Sequence, residues 1–189
     1  FDANGAGLDD LYVATGGYAY WAPNTISLQD ELYINDGKGK LKLAKGMLPD
    51  VSASSKSCVR PCDFDKDGDL DLFVGGRVVP GKYPTAPKSY LLVNNGKGQF
   101  TVAPVPFAEA GMVADAQWID INTDGRMDLV LCGEFMPVMT FINSTAGFLD
   151  QTNEYFNKRE NGFWSSLAMA DVDGDGQEDI IAGNLGMNS

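Results

Sequence analysis

The stretch from Asp63 to Gly75 reads DFDKDGDLDLFVG, and it carries the pattern from which the fold can be inferred. Aspartates occupy every second position from Asp63 to Asp71, where they would repel one another unless a cation lay among them. Oxygen ligands at alternating positions, with Gly68 allowing a sharp turn, are typical of a Ca²⁺-binding loop. The apolar run that follows Asp71 predicts a short β-strand.

The loop differs from an EF-hand at its twelfth position. An EF-hand closes there with a bidentate Glu, whereas this chain has Val74 and, in two further copies of the loop, Leu131 and Ala182. The cation is therefore expected to be enclosed within nine residues. Side chains at positions one, three, five and nine and the main-chain carbonyl at position seven are the expected ligands.

The nine-residue loop occurs four times, at intervals of about 50 to 60 residues, as in a repeat protein. Loop 1 (2–10) reads DANGAGLDD, loop 2 (63–71) DFDKDGDLD, loop 3 (120–128) DINTDGRMD and loop 4 (171–179) DVDGDGQED. A second motif follows each of the first three loops: NDGKGKL from Asn35, NNGKGQF from Asn94 and the degenerate NSTAGF from Asn143. Its Asn and Gly residues predict a tight turn between two strands.

Loops 2, 3 and 4 are predicted to bind about three Ca²⁺ ions. The expected ligands are Asp63, Asp65, Asp67, Asp69 and Asp71 in loop 2, Asp120, Asn122, Asp124, Arg126 and Asp128 in loop 3, and Asp171, Asp173, Asp175, Gln177 and Asp179 in loop 4. Loop 1 has Ala6 at position five and keeps only Asp2, Asn4 and Asp10, so weak binding or none is expected there. The alternative is that these loops are solvated acidic turns without metal.

Four short strands per repeat, without an amphipathic helix, predict an all-β protein built of four-stranded antiparallel β-propeller blades. The chain holds about three to four such blades, and we interpret residues 1–189 as part of a single propeller. Its repeats are approximately 2–62, 63–119, 120–170 and an incomplete 171–189. A closed propeller has typically four to eight blades, so we expect a fragment of a larger polypeptide or a partial arc.

The loop and the NNGKGQF motif together resemble the FG-GAP or VCBS repeat, the blade unit of the integrin α-subunit propeller and of many bacterial secreted proteins. The resemblance covers essentially the whole chain. The ending, from Gly162 to Ser189, is similar to blades of large VCBS-repeat proteins of Bacteroidetes. In integrins the comparable calcium loops lie away from the ligand-binding face, and the resemblance implies a structural role for them here.

Composition excludes several functions. The formal net charge of −12 disfavours a nucleic-acid partner, which would require clustered Lys and Arg. The chain contains no histidine, and so lacks the commonest general base and zinc ligand. No run approaches the roughly 18 apolar residues of a membrane helix.

The cysteines and tryptophans are interpreted as structural. Three cysteines form no disulfide framework, and Cys58 and Cys62 would lie about 13 Å apart on one face of a strand, too far to bridge. They are interpreted as buried thiols, and Cys132 as a small residue where other repeats have glycine or alanine. Trp118 and Trp164, each on the strand before a loop, are expected in the core.

Tyr18, Tyr20 and Trp21 are the speculative ligand-binding residues. They follow two glycines in the connection whose length varies most between repeats, where exposed aromatic rings could contact a sugar or a protein partner. The alternative is that these rings pack between blades.

The resemblance implies a calcium-stabilised, non-enzymatic binding or scaffold module of the adhesion type. Such a module is expected outside the cell, at the cell surface or in the periplasm, as part of a bacterial secreted protein or lipoprotein. Its partner would be a protein, a glycan, another chain or the rest of its own propeller. The alternative is a lectin, or part of a polysaccharide-active enzyme or an outer-membrane nutrient-uptake complex. A lyase would need Lys, Tyr or Arg as its base.

Overall fold

The structure is a computed structural model that describes residues 1–17 and 26–186. The described residues form antiparallel sheets in which most neighbouring strands are consecutive in sequence, the exception being the pairing of the ninth strand with the twelfth. The first sheet contains β1 (Leu11–Val13), β2 (Glu31–Asn35) and β3 (Leu41–Leu43). The second contains β4 (Ser55–Cys62), β5 (Asp71–Val78), β6 (Tyr90–Asn94) and β7 (Phe100–Ala103).

The third sheet continues the same up-and-down order. It contains β8 (Met112–Ile119), β9 (Asp128–Met136), β10 (Met139–Ser144) and β11 (Gly147–Asp150), followed by the pair β12 (Gly162–Ala170) and β13 (Asp179–Asn184). Strand β12 joins this sheet because Gly162 and Phe163 pair with the end of β9. A single-turn helix, α1 (Thr152–Tyr155), precedes β12.

The prediction of an all-β fold with four short antiparallel strands per unit is confirmed by the second sheet and by β8 to β11. Each complete sheet has the strand order expected of a propeller blade. A nine-residue loop joins the first strand of each of these units to the second, as loop 2 joins β4 to β5. The sequence repeats, counted from the first aspartate of each loop, are therefore offset from the sheets by one strand.

The second and third sheets share an apolar core centred on Phe107. This fully buried residue lies in a 3-10 turn, Pro106–Glu109, that connects the two sheets. Its ring contacts Phe73 of β5, Phe141 of β10 and Phe148 of β11, with ring centroids 5.2 to 5.8 Å apart and near-perpendicular planes. Edge-to-face packing of this kind is favourable beyond the area that it buries.

Cys58 and Cys132 are buried, as expected, whereas Cys62 is only partly buried, and both tryptophans are partly buried residues that pack against the core. Trp118 packs against the Phe107 core, and Trp164 packs against a smaller cluster that contains Cys132. Cys58 and Cys62 are both on β4, and all three thiols are free. Burial raises the pKa of Cys58 to about 11, so this thiol is protonated and unreactive at neutral pH.

No helix within residues 1–17 and 26–186 combines the length and the hydropathy needed to cross a membrane.

Replacing Phe107 with alanine should lower the free energy of unfolding by about 3 to 5 kcal/mol, because the cavity would open between two sheets. Urea denaturation followed by tryptophan fluorescence measures the change. Val102→Ala is the control: its side chain is about half exposed, and a loss under about 1 kcal/mol is expected. Equal losses for the two variants would mean that Phe107 does not join the sheets.

Candidate metal-binding loops

Loop 2 is held in shape by its own aspartates, which accept hydrogen bonds from backbone N–H groups. Asp63 Oδ2 accepts from Gly68 N at 3.2 Å, Asp65 Oδ1 from Asp67 N at 3.3 Å, and Asp67 Oδ1 from Asp69 N at 2.9 Å. Gly68 has a φ of 97°, in the left-handed region that favours glycine. The chain therefore curls around a space into which the carboxylates face.

Within residues 1–17 and 26–186, two sets of three carboxylates lie close enough together for each set to share one ion. Each member of a set offers an oxygen atom within 4.8 Å of the others. The sets are Asp63, Asp65 and Asp71 in loop 2, and Asp171, Asp173 and Asp179 in loop 4. Both consist of positions one, three and nine, three of the four predicted side-chain positions.

The predicted ligands at position five lie outside these two sets. In the fourth loop, Asp175 Oδ1 accepts the backbone N–H of Gln177 at 2.8 Å, as Asp67 does for Asp69 in loop 2. In both loops the carboxylate at position five is thus hydrogen-bonded to the backbone N–H of position seven. The carbonyl ligands at position seven remain a prediction.

Loop 2 contains carboxylate oxygens that have no hydrogen-bond partner. Asp63 Oδ1 and Asp71 Oδ2 are both buried and unpaired. The pKa of Asp71 is raised to about 7, mainly by burial and also by the neighbouring carboxylates of Asp65 and Asp67, against the lowering effect of a backbone hydrogen bond from Asn94. Orphaned anionic oxygens of this kind are what a bound cation would satisfy, so the donor set fits a metal ion.

Loop 3 differs because a cationic side chain lies within it. The Arg126 guanidinium is 3.4 Å from Asp124 Oδ2, and its Nε donates to the carbonyl of Asn143 at 3.2 Å. The backbone N–H of Arg126, and then its charge, lower the pKa of Asp124. The sequence predicts a role only for the main-chain carbonyl at position seven, whereas in loop 3 the side chain at that position forms an ion pair with a predicted ligand.

Loop 1 keeps the backbone arrangement of the others although it lacks the fifth ligand. Ala6 N donates to Asp2 Oδ1 at 3.1 Å and to Asn4 Oδ1 at 3.0 Å, and Gly7 N donates to Asp2 Oδ2. The corresponding bonds of Asp124 N in loop 3 have the same partners by position. The fold of the loop therefore does not require an aspartate at position five.

The aspartate at position nine fixes each of loops 1, 2 and 3 to the hairpin of its own sheet. Its Oδ1 atom accepts the backbone N–H of the first Asn of the turn motif at 2.7 to 2.8 Å. The pairs are Asp10 with Asn35, Asp71 with Asn94, and Asp128 with Asn143. This residue therefore has a structural role as well as a predicted ligand role.

Two of these asparagines, Asn94 and Asn143, also bind the loop of the preceding repeat. Asn94 Nδ2 donates to the carbonyl of Ala3, and Asn143 Nδ2 donates to the carbonyl of Phe64, each at 2.8 Å. Ala3 and Phe64 both occupy position two of their loops. Sequence reasoning assigned these asparagines only to turns, although their recurrence at a fixed place was the available signal.

Tyr18, Tyr20 and Trp21, the speculative ligand-binding residues, lie outside the described residues.

The sequence model of the FG-GAP-like repeat matches residues 2–74 and 120–182, two segments that cover well over half of the chain and contain all four loops. No curated protein sequence matches the chain.

Replacing Asn94 with alanine should destabilise the protein by about 1 to 3 kcal/mol, because the buried carbonyl of Ala3 loses its partner. Asn95→Ala is the matched control in the same turn, since Asn95 accepts only local bonds from Lys97 N and Gln99 N. Chemical denaturation measures both losses. A smaller loss for Asn94→Ala than for Asn95→Ala would contradict a role in joining repeats.

Proposed function

This chain belongs to the FG-GAP-like repeat family, and on that premise we propose that it is a calcium-stabilised binding module of the adhesion type that works outside the cell. FG-GAP repeats build propeller blades and serve in general as non-enzymatic binding modules. The fold is the rigid part of such a module, and the connections between strands are the part that can vary to suit a partner.

The observation that carries the calcium proposal is the pair of buried, unpaired oxygens on Asp63 and Asp71. They belong to a set of three carboxylates that converge within one loop. Oxygen-only donors in an irregular loop suit Ca²⁺ better than Mg²⁺, which demands a near-ideal octahedron. When bound, the ion would supply positive charge that compensates the carboxylates and connects β4 to β5.

The proposed sites differ in strength. Loops 2 and 4 have three convergent carboxylates each, and we assign to them the tighter Ca²⁺ sites. Loop 3 has a neutral Asn122 at position three and an arginine paired with Asp124, so its site is the weakest of the three. Loop 1 lacks a side-chain ligand at position five and holds no ion.

The proposed location is supported by the Ca²⁺ concentration that such loops need. The Asp173 and Asp175 side chains lie at the surface, and the Ca²⁺ sites of extracellular modules have dissociation constants of about 10⁻⁴ to 10⁻³ M. Millimolar Ca²⁺ outside the cell, at the cell surface or in the periplasm would fill them. Ions that bind only the folded protein stabilise it by mass action.

Two substitutions in loop 4 test the calcium proposal, because each removes one negative charge but at a different position. Asp173→Asn should weaken Ca²⁺ binding to this loop on the order of tenfold, because Asp173 belongs to the convergent set. Glu178→Gln removes the same charge at position eight, outside the set, and should change affinity less than twofold. Isothermal titration calorimetry and the shift of the unfolding midpoint by Ca²⁺ measure the effect.

If a chelator leaves the unfolding midpoint of the unmodified protein unchanged, the loops are solvated acidic turns and the calcium proposal is wrong. Equal effects of Asp173→Asn and Glu178→Gln would instead mean that the ion responds to total charge rather than to this set of ligands.

Loop 1 should gain a Ca²⁺ site when Ala6 is replaced by aspartate. The backbone N–H at position five already donates hydrogen bonds to Asp2 and Asn4. The loop therefore has its folded shape before the new carboxylate is added. Calorimetry should report one additional Ca²⁺ per chain for Ala6→Asp, and none for the neutral control Ala6→Asn. An unchanged stoichiometry in both variants would show that a carboxylate at position five is not what loop 1 lacks.

A further inference from the structure

An exposed apolar face lies on one side of the first sheet, and we call it the leading face. Cross-strand pairing places Leu11 of β1 beside Tyr33 of β2, and Tyr33 beside Leu43 of β3, so these side chains share one side of the sheet. Leu41 lies two residues before Leu43 and therefore on the same side. The three leucines are each 42 to 46% exposed. Leu32 points the other way, into the core between the first and second sheets.

The corresponding side of the second sheet is covered by the first sheet. Leu72 is the tenth residue counted from the first aspartate of its loop, and Phe100 pairs with Asn94 in its hairpin. Both are at most 2% exposed and belong to the core that the two sheets share. Leu11 and Leu41 hold the same two places in the first sheet. The leading face is therefore built like a face that a neighbouring sheet covers.

The pair β12–β13 has an exposed apolar face of its own, which we call the trailing face. Ile180 and Ala182 of β13 pack into the cluster shared with β9, so Ile181 between them points away from that cluster. Ile181 is 46% exposed. Phe73 and Val130 occupy the same eleventh place after loops 2 and 3 begin, and both are fully buried.

Loop 4 is exposed on the trailing side as well. Val172, at position two, is 65% exposed, whereas Ala3 at position two of loop 1 is 1% exposed. Ala3 is covered because the hairpin of the second sheet lies on loop 1: Asn94 donates to its carbonyl, and a Cβ atom at Gly98 would be 3.7 Å from the same oxygen. The exposure of Val172 shows that the equivalent place on loop 4 is open to solvent.

Asn35 is the hairpin asparagine that makes a different side-chain bond. Asn94 and Asn143 reach the loop of the preceding sheet, but Asn35 Nδ2 donates to the carbonyl of Asp9 in its own loop at 3.1 Å. Its backbone N–H is bound by Asp10, as in the other two hairpins. The leading face thus offers an asparagine, and loop 4 a carbonyl at position two, which are the groups that join consecutive sheets elsewhere in the chain.

Charge favours contact between the two unlike faces. The hairpin of the leading face carries the exposed Lys38, Lys40 and Lys42, and the acids beside it are Asp36, which pairs with Lys42, and Asp9. Loop 4 contains five acidic residues and no basic residue. Two trailing faces would bring two copies of this loop together and repel each other, whereas a leading face brings lysines to it.

We propose that the trailing face of one copy of this chain binds the leading face of a second copy. The first sheet of the second copy then lies beside β13, in the way that the second sheet lies beside the first. Val172 and Ile181 of one copy pack against Leu11 and Leu41 of the other, and Asn35 donates to the carbonyl of Val172. Because unlike faces meet, the contact is heterologous. The inference goes beyond the proposed binding role, since it concerns assembly of the chain and not its ligand.

Sedimentation of the full chain in millimolar Ca²⁺ tests the proposal, and the mass should rise with protein concentration. Leu41→Asp alters the leading face and Ile181→Asp the trailing face. Each should weaken self-association at least about tenfold, because the contact would bury an unpaired charge. Leu149→Asp is the matched control: Leu149 is 48% exposed on β11, outside both faces, and less than a twofold change is expected. Equal effects of the three substitutions would overturn the proposal.

A mixture of two variants distinguishes a head-to-tail contact from a symmetric one. The Leu41→Asp chain keeps its trailing face, and the Ile181→Asp chain keeps its leading face. The mixture should therefore form a 1:1 dimer, although neither variant associates alone. A mixture that remains monomeric would overturn the proposal, because a heterologous contact needs only one intact face from each chain.

Thermal unfolding verifies that the variants are folded. Both substituted residues are about half exposed, so the unfolding midpoints should stay close to that of Leu149→Asp. If either midpoint is lower, Leu41→Ser and Ile181→Ser repeat the comparison with a smaller change.

An unmodified chain that stays monomeric at about 1 mM would mean that something other than a second copy covers the two faces, and the proposal would be wrong. The calcium proposal fails separately. If a chelator leaves the unfolding midpoint unchanged while the chain still associates, calcium stabilisation is refuted and the contact between copies stands.

Discussion

The side chains of Asn94 and Asn143 each donate one hydrogen bond across a sheet boundary. Each bond joins the hairpin of one sheet to the acidic loop of the preceding repeat. The backbone N–H of each asparagine is held by the closing aspartate of its own loop. A short series of polar contacts thus fixes each loop relative to the next sheet. Because the groups are buried, breaking one contact leaves an unsatisfied partner, and the sheets are tied to a single arrangement.

The closing aspartate combines two roles that have opposite electrostatic demands. Asp71 must be buried to reach the N–H of Asn94, and burial disfavours its charge. A cation among Asp63, Asp65 and Asp71 would remove this conflict, because the charged form would then gain an ionic partner. In loop 3 the guanidinium of Arg126 supplies positive charge from the chain itself. The loops therefore share one backbone arrangement but differ in how the negative charge of their carboxylates is compensated.

The two ends of the strands differ in what they contribute to the protein. One end carries the acidic loops and the contacts that join repeats, so substitutions there affect stability first. The other end carries Tyr83 and Phe135, whose exposed rings contribute little to the core. Separating the two ends allows a binding surface to change without disturbing the loops that hold the sheets.

Much of the fold was accessible from local patterns in the sequence. Alternating aspartates, the glycine at position six and the apolar run after position nine identify a loop between two strands, and a fourfold repeat of such a unit predicts a propeller. The apolar twelfth position, Val74, excludes an EF-hand, and this residue is buried in β5. These features are local, because they depend on residues that are close in sequence.

The arrangement of these units depends on contacts that no local pattern contains. Asn94 reaches Ala3 across 91 residues, and Arg126 reaches the carbonyl of Asn143. Tyr83 meets Glu134 only because the second and third sheets lie side by side. The spacing of aspartates therefore specified the loops and the carboxylates that could hold a cation. The packing of sheet against sheet specified which oxygens remain unpaired and which aromatic rings face solvent, because burial is a property of the assembled chain.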